Sequence, residues 1–473
     1  MTEFRVVIIG GGLVGSLAAV YLGNKGYTVD VYEKRPGLLY YLILDIRLEK
    51  TANGRSINLA LSERGIKALE GAGVMNEIAP NLIPMRGRYV HVTNTSHNMQ
   101  DYGIFGECIN SIDRKLMNEV LLTVAEKLNN VNLHFGYGVS RCDFDKGEVT
   151  LVNDKKEEKF LKGIDFIIGA DGAYSRVRDQ LLRNLRMDFS REYIDHGYVE
   201  LNMPPLSNGD YAMDSNHLHI WPRKTFMMIA LPNLDHSFTV TLFMPWDKFD
   251  SIKTPDELLR FFDTTFGDAV PLIGRKLLVE DYFKNAKGSL VSVKCKPYNF
   301  KGRAVIVGDA AHAMVPFYGQ GMNCGFEDIL VLDEIFTKHI QPNSIPTKEQ
   351  MNTVLTEYSQ IRNPDAHAIC DLALNNYVEM RSSVIDPKYL FRKKVESFLH
   401  RIIPQTVTPL YSMVSFSRTR YSEALAKYKK QTKWFEAFWT GLHVVKYSAL
   451  ATCVGYSLYK YQVFTDFFAS LSK

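Results

Sequence analysis

The sequence has almost no net charge: 56 Lys and Arg stand against 52 Asp and Glu in 473 residues, a formal +4. A dedicated nucleic-acid binder carries a marked basic excess, so that class is set aside. The six cysteines (Cys108, Cys142, Cys295, Cys324, Cys370, Cys453) include no CxxC pair. This removes the common zinc spacing and, at this length, a disulfide framework. Scattered thiols of this kind read as small buried hydrophobes in a reducing compartment. No internal repeat, low-complexity segment, HExxH or Ser-His-Asp signature is present, so no metal and no protein nucleophile is called for. The N-terminus lacks a basic stretch followed by a small-residue cleavage site, which reads against a signal peptide. What remains, 46% hydrophobic and 23% charged, is an ordinary globular composition. It suits two or three domains, or one large interleaved one, with a sizeable core.

Against that background the first 33 residues stand out. Phe4 to Ile9 (FRVVII) is a short apolar run followed at once by Gly10-Gly11-Gly12-Leu13-Val14-Gly15, a G-x-G-x-x-G pattern. Ser16 to Gly23 carries helix formers, Tyr27 to Tyr32 (YTVDVY) alternates like a second strand, and Glu33 closes it. This is a βαβ unit for a dinucleotide. Gly10 permits the tight turn, Gly12 admits a pyrophosphate to the backbone, and Gly15 lets helix and strand pack closely. The helix N-terminus offers free N–H groups to phosphate. Glu33 accepts from ribose hydroxyls and disfavours a 2′-phosphate, so the resident dinucleotide is FAD or NAD. No second fingerprint exists for a hydride donor, which must dock without a βαβ unit of its own; the residues alone leave NADPH and NADH open.

Further strands are expected at Ser56 to Leu61, at Ile164 to Ile168 before Gly169-Ala170-Asp171-Gly172, and at Ala304 to Val307 before Gly308-Asp309. Helices are expected at Ser62 to Ala72 and Ser111 to Leu128. Between about 185 and 295 the chain alternates like an antiparallel sheet, as in LHIW (218–221), FMMIAL (226–231) and FTVTLF (238–243). From about 345 the signals are helical. The expectation is an α/β fold: a Rossmann-type FAD-binding domain at 1–185 and 290–345, with residues about 85–105 on the substrate side, an interleaved antiparallel-sheet substrate domain at 186–289, a helical region at 346–433, and a C-terminal membrane-anchoring helix at 434–461. The apolar stretch 38–44 (LLYYLIL) has no assigned role.

Three motifs now stand in order: GGGLVG at 10–15, GADG at 169–172 and GDAAHAMVPFYGQGMN at 308–323. Together they resemble the aromatic-ring hydroxylases, the single-component flavoprotein monooxygenases. Segments 54–65 (GRSINLALSERG), 83–91 (IPMRGRYVH), 217–223 (HLHIWPR), 315–328 (VPFYGQGMNCGFED), 375–381 (NNYVEMR) and 409–418 (PLYSMVSFSR) resemble the branch of that family acting on kynurenine. The resemblance implies hydroxylation of L-kynurenine to 3-hydroxykynurenine, with FAD as cofactor, NADPH and O₂ as co-substrates, and oxygen transfer from a flavin C4a-hydroperoxide. It also implies cofactor contacts by Gly10, Gly12, Leu13, Val14, Gly15, Glu33, Lys34, Arg35, Arg55, Ala60, Arg114, Val139, Asp171, Asp309, Gly321, Met322 and Asn323. Substrate contacts fall on Arg88, Tyr102, Asn376 and Tyr411, an arginine gripping a carboxylate with phenols and an amide around it. His219, Trp221 and His312 are read as structural and Arg86 as exposed.

Two other readings use the same residues. One is a related flavin hydroxylase of another aromatic acid or phenol. The other is a non-catalytic binder like the GDP-dissociation inhibitors, against which the GDAAH and GQGMN elements argue. At the tail, 437–459 gives 23 largely apolar positions behind Lys427, Lys429, Lys430 and Lys433. A helix of that length, about 34 Å, suffices for a roughly 30 Å hydrocarbon core. It is expected to span or lie on a membrane, and the resemblance implies the mitochondrial outer membrane with the catalytic part facing the cytosol.

Overall fold

The computed structural model describes residues 4–35, 58–93, 96–342 and 344–471. Arg55 and the apolar stretch 38–44 lie outside them.

Strand β1 (Arg5–Ile9), helix α1 (Leu13–Asn24) and strand β2 (Thr28–Glu33) form the expected βαβ unit. Val6, Val7 and Ile8 are fully buried, because the sheet is covered on both faces. Each such side chain contributes roughly 1.5–3 kcal/mol of burial. The sheet runs in the order 299–300, 304–306, 166–169, β1, β2, 131–135, and all its pairings but the first are parallel. α1 is buried almost all round, since helices Arg114–Glu126 and Gly321–His339 both pack on it. On β2, Asp30 accepts from Arg5 at 2.8 Å and faces His134 at 3.3 Å. Burial would raise its pKa, but those two partners pull it down to about 2.

A second sheet of seven strands holds the region expected to be antiparallel: Gly288–Lys296, Asp188–Met203, Phe238–Pro245, Phe226–Pro232, His217–Arg223, Gly87–His91 and His97–Asp101, in spatial order. Strand Gly87–His91 enters from the first part of the chain and pairs parallel to His217–Arg223, with Leu218 opposite Arg88. Strand Gly288–Lys296 straddles the 289/290 boundary drawn from the sequence. The C-terminal region is helical, with Lys348–Arg381 the element that packs against both sheets.

Helix 114–126 starts later than the sequence pattern suggested, because Ile109–Ile112 forms a strand between two neighbours and Asp113 then caps the helix by accepting from Leu116 N. His219 and Trp221 are structural, as read: both are buried, and Trp221 donates to Asp268 at 2.8 Å. Arg86 is exposed. The tail is one helix, Tyr421–Leu471. Among the described residues no helix is long and apolar enough to cross a membrane. The spanning expectation is therefore not met, since Thr440, His443, Lys446, Ser448 and Thr452 interrupt the apolar run.

Candidate active site

The glycine turn, the 169–172 turn and the 308–323 segment line one cavity of about 1200 Å³. That exceeds a typical small-molecule pocket and leaves room for a dinucleotide together with a second molecule.

At one end the backbone does the work. Gly10 has φ +107°, and a Cβ there would lie 2.4 Å from Ala170 O. A Cβ on Gly15 would lie 1.9 Å from Gly10 O. At Gly12, by contrast, a Cβ would meet nothing within 4 Å: it would project into the cavity, where a pyrophosphate needs the space. Glu33 Oε2 accepts from Gly11 N at 2.8 Å and Oε1 from Arg35 Nε at 2.9 Å. Burial would raise its pKa, but Arg35 and the backbone donors lower it, so Glu33 is a carboxylate at the cavity edge. Leu13, Val14, Lys34, Arg35, Ala60, Arg114 and Val139 share this wall.

The middle belongs to the 308–323 segment. Asp309 is exposed to the cavity. Asp328 holds its turn, accepting from Gly308 N at 2.8 Å, His312 Nε2 at 2.6 Å and Arg362 Nε at 2.8 Å. His312, Cys324 and Asp328 are ligand-type side chains within 4.8 Å of one another. Arg362 already supplies positive charge there, its Nη2 3.3 Å from Cys324 Sγ, so the cluster is a buried brace and His312 is structural as read. Gly321 and Met322 open helix Gly321–His339 at the cavity wall. The helix start brings its free amides and positive dipole end toward that space.

The other end is built from side chains. Arg88, on strand 87–91, is buried, with its Cζ 5.0 Å from the Tyr411 ring centroid and 5.9 Å from that of Tyr102. Tyr102 and Tyr411 stack at 5.3 Å. Arg88 Nη1 donates to Glu379 Oε1 at 3.1 Å, while Nε is buried without a partner. Burial would raise the pKa of Glu379, but Arg88 lowers it; the pair is ionised. Met227, Phe243, Phe317 and Met380 close the walls around it, all buried.

Comparison with known proteins follows this geometry. The family described as FAD binding domain matches residues 3–373. Kynurenine 3-monooxygenase of Sus scrofa is 46% identical over 428 residues, covering 90% of this chain and 87% of that protein. The Anopheles gambiae protein of the same name is 48% identical, covering 90% and 85%. The chain belongs to the kynurenine 3-monooxygenase family. Solved structures share the fold: p-nitrophenol 4-monooxygenase from Pseudomonas putida has a TM-score of 0.63 at 19% identity, covering 85% of this chain and 94% of that one. The 2-methyl-3-hydroxypyridine-5-carboxylic acid oxygenase also reaches 0.63 at 19%, covering 82% and 96%.

As a kynurenine 3-monooxygenase family member, the chain is an FAD-dependent monooxygenase, and its residues fit the flavin dinucleotide: a turn kept clear of Cβ atoms, a ribose-type acid at Glu33, and an exposed acid at Asp309. Several of the expected contact residues carry structural bonds of their own. Gly15 is not in the wall; it is where α1 meets the turn. Asn323 is fully buried, accepting from Ser62 N at 2.9 Å and donating to Ala60 O and Gly319 O, each at 2.8 Å. Its side chain ties two wall segments together and does not face the cavity. Asn376 donates to Phe317 O at 2.7 Å and supports the 316–318 turn from behind. Asp171 lines the cavity, but its carboxylate is engaged by Ser175 Oγ at 2.5 Å, Arg176 N at 2.7 Å and Val177 N at 3.2 Å. Sequence reasoning missed Glu379. Its signal was the NNYVEMR segment, where Glu379 lies one helical step beyond Asn376.

Proposed function

We propose that the protein hydroxylates L-kynurenine to 3-hydroxykynurenine, using FAD as resident cofactor and NADPH and O₂ as co-substrates. The observation that carries this reading is Arg88: a buried guanidinium with a free Nε, in the wall of the same cavity that holds Gly12 and Asp309. Glu379 already balances its charge, so what the buried free Nε calls for is a further acceptor, which a substrate carboxylate supplies.

Bound FAD supplies the redox chemistry, taking electrons from NADPH and activating dioxygen. The chain does the rest. Gly12 and the α1 N-terminus receive the diphosphate, and Glu33 and Asp309 accept from hydroxyls. The amide end of helix 321–339 steadies negative charge on the reduced ring system. Arg88, held in place by Glu379, grips the substrate carboxylate, and Tyr102 and Tyr411 flank it. Met227, Phe243 and Phe317 exclude water from the aromatic ring, whose own amine makes the adjacent carbon electron-rich. Orientation and dryness are the protein's contribution.

The test is NADPH consumption with and without L-kynurenine, with the product identified by mass. Kynurenine-stimulated consumption and a product one oxygen heavier are expected. Equal or greater stimulation by simple aromatic acids or phenols, without kynurenine hydroxylation, would support the related hydroxylase instead.

The same reading extends to location. The tail is proposed to attach the enzyme to a membrane surface, the cytosolic face of the mitochondrial outer membrane, by lying on it. Support comes from exposed Val454, Tyr456, Leu458 and Tyr459 beyond the lysines at 427–433. Deleting residues after 433 is expected to release the protein from membranes; a truncated protein that still pellets with them would contradict this.

A further inference from the structure

Residues from three segments, 54–65, 315–328 and 409–418, meet at one buried side chain. Arg64 lies in the first turn of helix Glu63–Gly71, just after the strand whose Ala60 lines the cavity. It is fully buried, and all five of its N–H donors are engaged. Nη1 donates to Glu327 Oε1 at 2.8 Å and Oε2 at 2.9 Å. Nε donates to Val414 O at 3.1 Å, and Nη2 to Met413 O at 3.4 Å and to Thr419 O. Its Cζ lies 3.8 Å from the Tyr421 ring centroid.

Both partners belong to the working parts. Glu327 lies on helix Gly321–His339, whose start faces the flavin space, and Arg362 Nη1 holds the same carboxylate at 3.0 Å. Met413 and Val414 close the short helix Leu410–Ser415, two and three residues beyond Tyr411. The last carbonyls of a helix have no partner within it. Arg64 caps them from another part of the chain, together with Ser417 Oγ on Met413 O at 2.8 Å. Tyr411 in turn stacks with Tyr102 at 5.3 Å and Tyr318 at 5.5 Å. Beside the guanidinium, Tyr421 donates to Gln320 Oε1 at 2.9 Å and Gln320 Nε2 to Ser62 Oγ at 3.3 Å. The residue before Gly321 is thus tied into the same joint.

We propose that Arg64 is a positioning residue for the hydroxylation: it fixes Tyr411, and with it the substrate ring, at a set place relative to the flavin helix. The proposal rests on the reading of the protein as a kynurenine hydroxylase. A salt bridge alone does not require Arg64, because Arg362 already gives Glu327 a cation. What the planar fork adds is a simultaneous grip on the carboxylate of the flavin helix and on three carbonyls of the segment that carries Tyr411. Oxygen transfer falls steeply when the reacting atoms are displaced. With the ring misplaced, NADPH is still consumed, and its two electrons leave as peroxide: NADPH + H⁺ + O₂ gives NADP⁺ + H₂O₂.

The experiment uses the full-length, FAD-loaded protein and Arg64→Lys, which keeps a cation beside Glu327 but cannot span both the carboxylate and the carbonyls. Flavin content is expected to match the parent. The kynurenine Kd, read from the flavin absorbance, is expected to weaken about tenfold. The yield of 3-hydroxykynurenine per NADPH is expected to fall about twofold or more, with the balance recovered as H₂O₂. Arg64→Gln, with Arg362 left to hold Glu327, is expected to act the same way. Arg418→Ala is the comparison: it removes the outer link from the same turn to Glu334, at 2.8 Å, without touching the carbonyls, and should keep the parent yield. Parent-like Kd and yield in both Arg64 variants, or an equal fall in Arg418→Ala, would overturn the proposal. So would loss of flavin or of folding in both Arg64 variants, since Arg64 would then be holding the dinucleotide end and not Tyr411. A parent protein that does not hydroxylate kynurenine would instead refute the functional reading, so the two failures are distinguishable.

Discussion

The two ends of the cavity are made in opposite ways. The dinucleotide end is shaped by what glycine leaves out: at Gly12 the wall is backbone, and a Cβ would stand in open space. The substrate end is shaped by what side chains put in. Arg88 comes from strand 87–91, Tyr102 directly follows strand 97–101 and Tyr411 sits on a short C-terminal helix, while Glu379, on the long helix 348–381, pairs with Arg88 from outside the lining. A backbone site tolerates few substitutions and suits any diphosphate. A side-chain site can be retuned residue by residue, which is where a family changes its substrate.

The sharpest way to break this contrast is Arg88→Ala. It leaves the half-buried Glu379 without its cation and removes the carboxylate anchor, so kcat/KM for kynurenine should fall about 100- to 1000-fold. Flavin content should stay unchanged. Gly12→Val is the mirror experiment. The added methyls enter the cavity and not the core, so the apoprotein should melt as the parent apoprotein does while FAD affinity falls by about a hundredfold, on the order of 3 kcal/mol. Flavin loss in Arg88→Ala, or a misfolded Gly12→Val, would erase the separation.

Acid separates the two sheets more gently. In the substrate sheet, burial pushes His219 down to about 4 from an ordinary 6.5. Unfolding frees it to take a proton, so this contribution is complete above pH 6.5 and is lost as pH falls toward 4. Between pH 7 and 5 the parent should lose about 2 kcal/mol that His219→Gln does not lose, measured by denaturant titration at each pH. In the dinucleotide sheet, Asp30 is held down at about 2 from 3.8. Its contribution is present above 3.8 and disappears only as pH falls toward 2. The first acid loss should therefore belong to the substrate sheet.

The smallest effect is expected from Asn376→Ala, which removes the bond to Phe317 O. A rise in KM of severalfold, about 1 kcal/mol, with flavin content retained would place it behind the wall.

The dinucleotide end was legible because its chemistry is local. Strand, glycine turn, helix and acid lie within 33 residues, and burial on both faces makes β1 a continuous apolar run. The substrate end was legible only through resemblance, since no local pattern brings Arg88 beside Glu379, 291 residues away. Asn323 and Asn376 entered as contacts through the resemblance, which names positions but does not show that their side chains also bond to the backbone of Ala60, Gly319 and Phe317. The strand at 109–112 was absorbed into a helix because its pairing partners are remote. The tail's helix was visible, but its polar interruptions outweigh its length.

The most direct measurement is a titration of the flavin absorbance spectrum with L-kynurenine in the parent protein and in Arg88→Ala. If one cavity holds the flavin at Gly12 and the amino acid at Arg88, the parent should show a single saturable spectral change. The variant should keep its yellow colour and show that change only at far higher kynurenine. A variant that responds like the parent, or a parent that binds kynurenine with no change in the flavin spectrum, would contradict it.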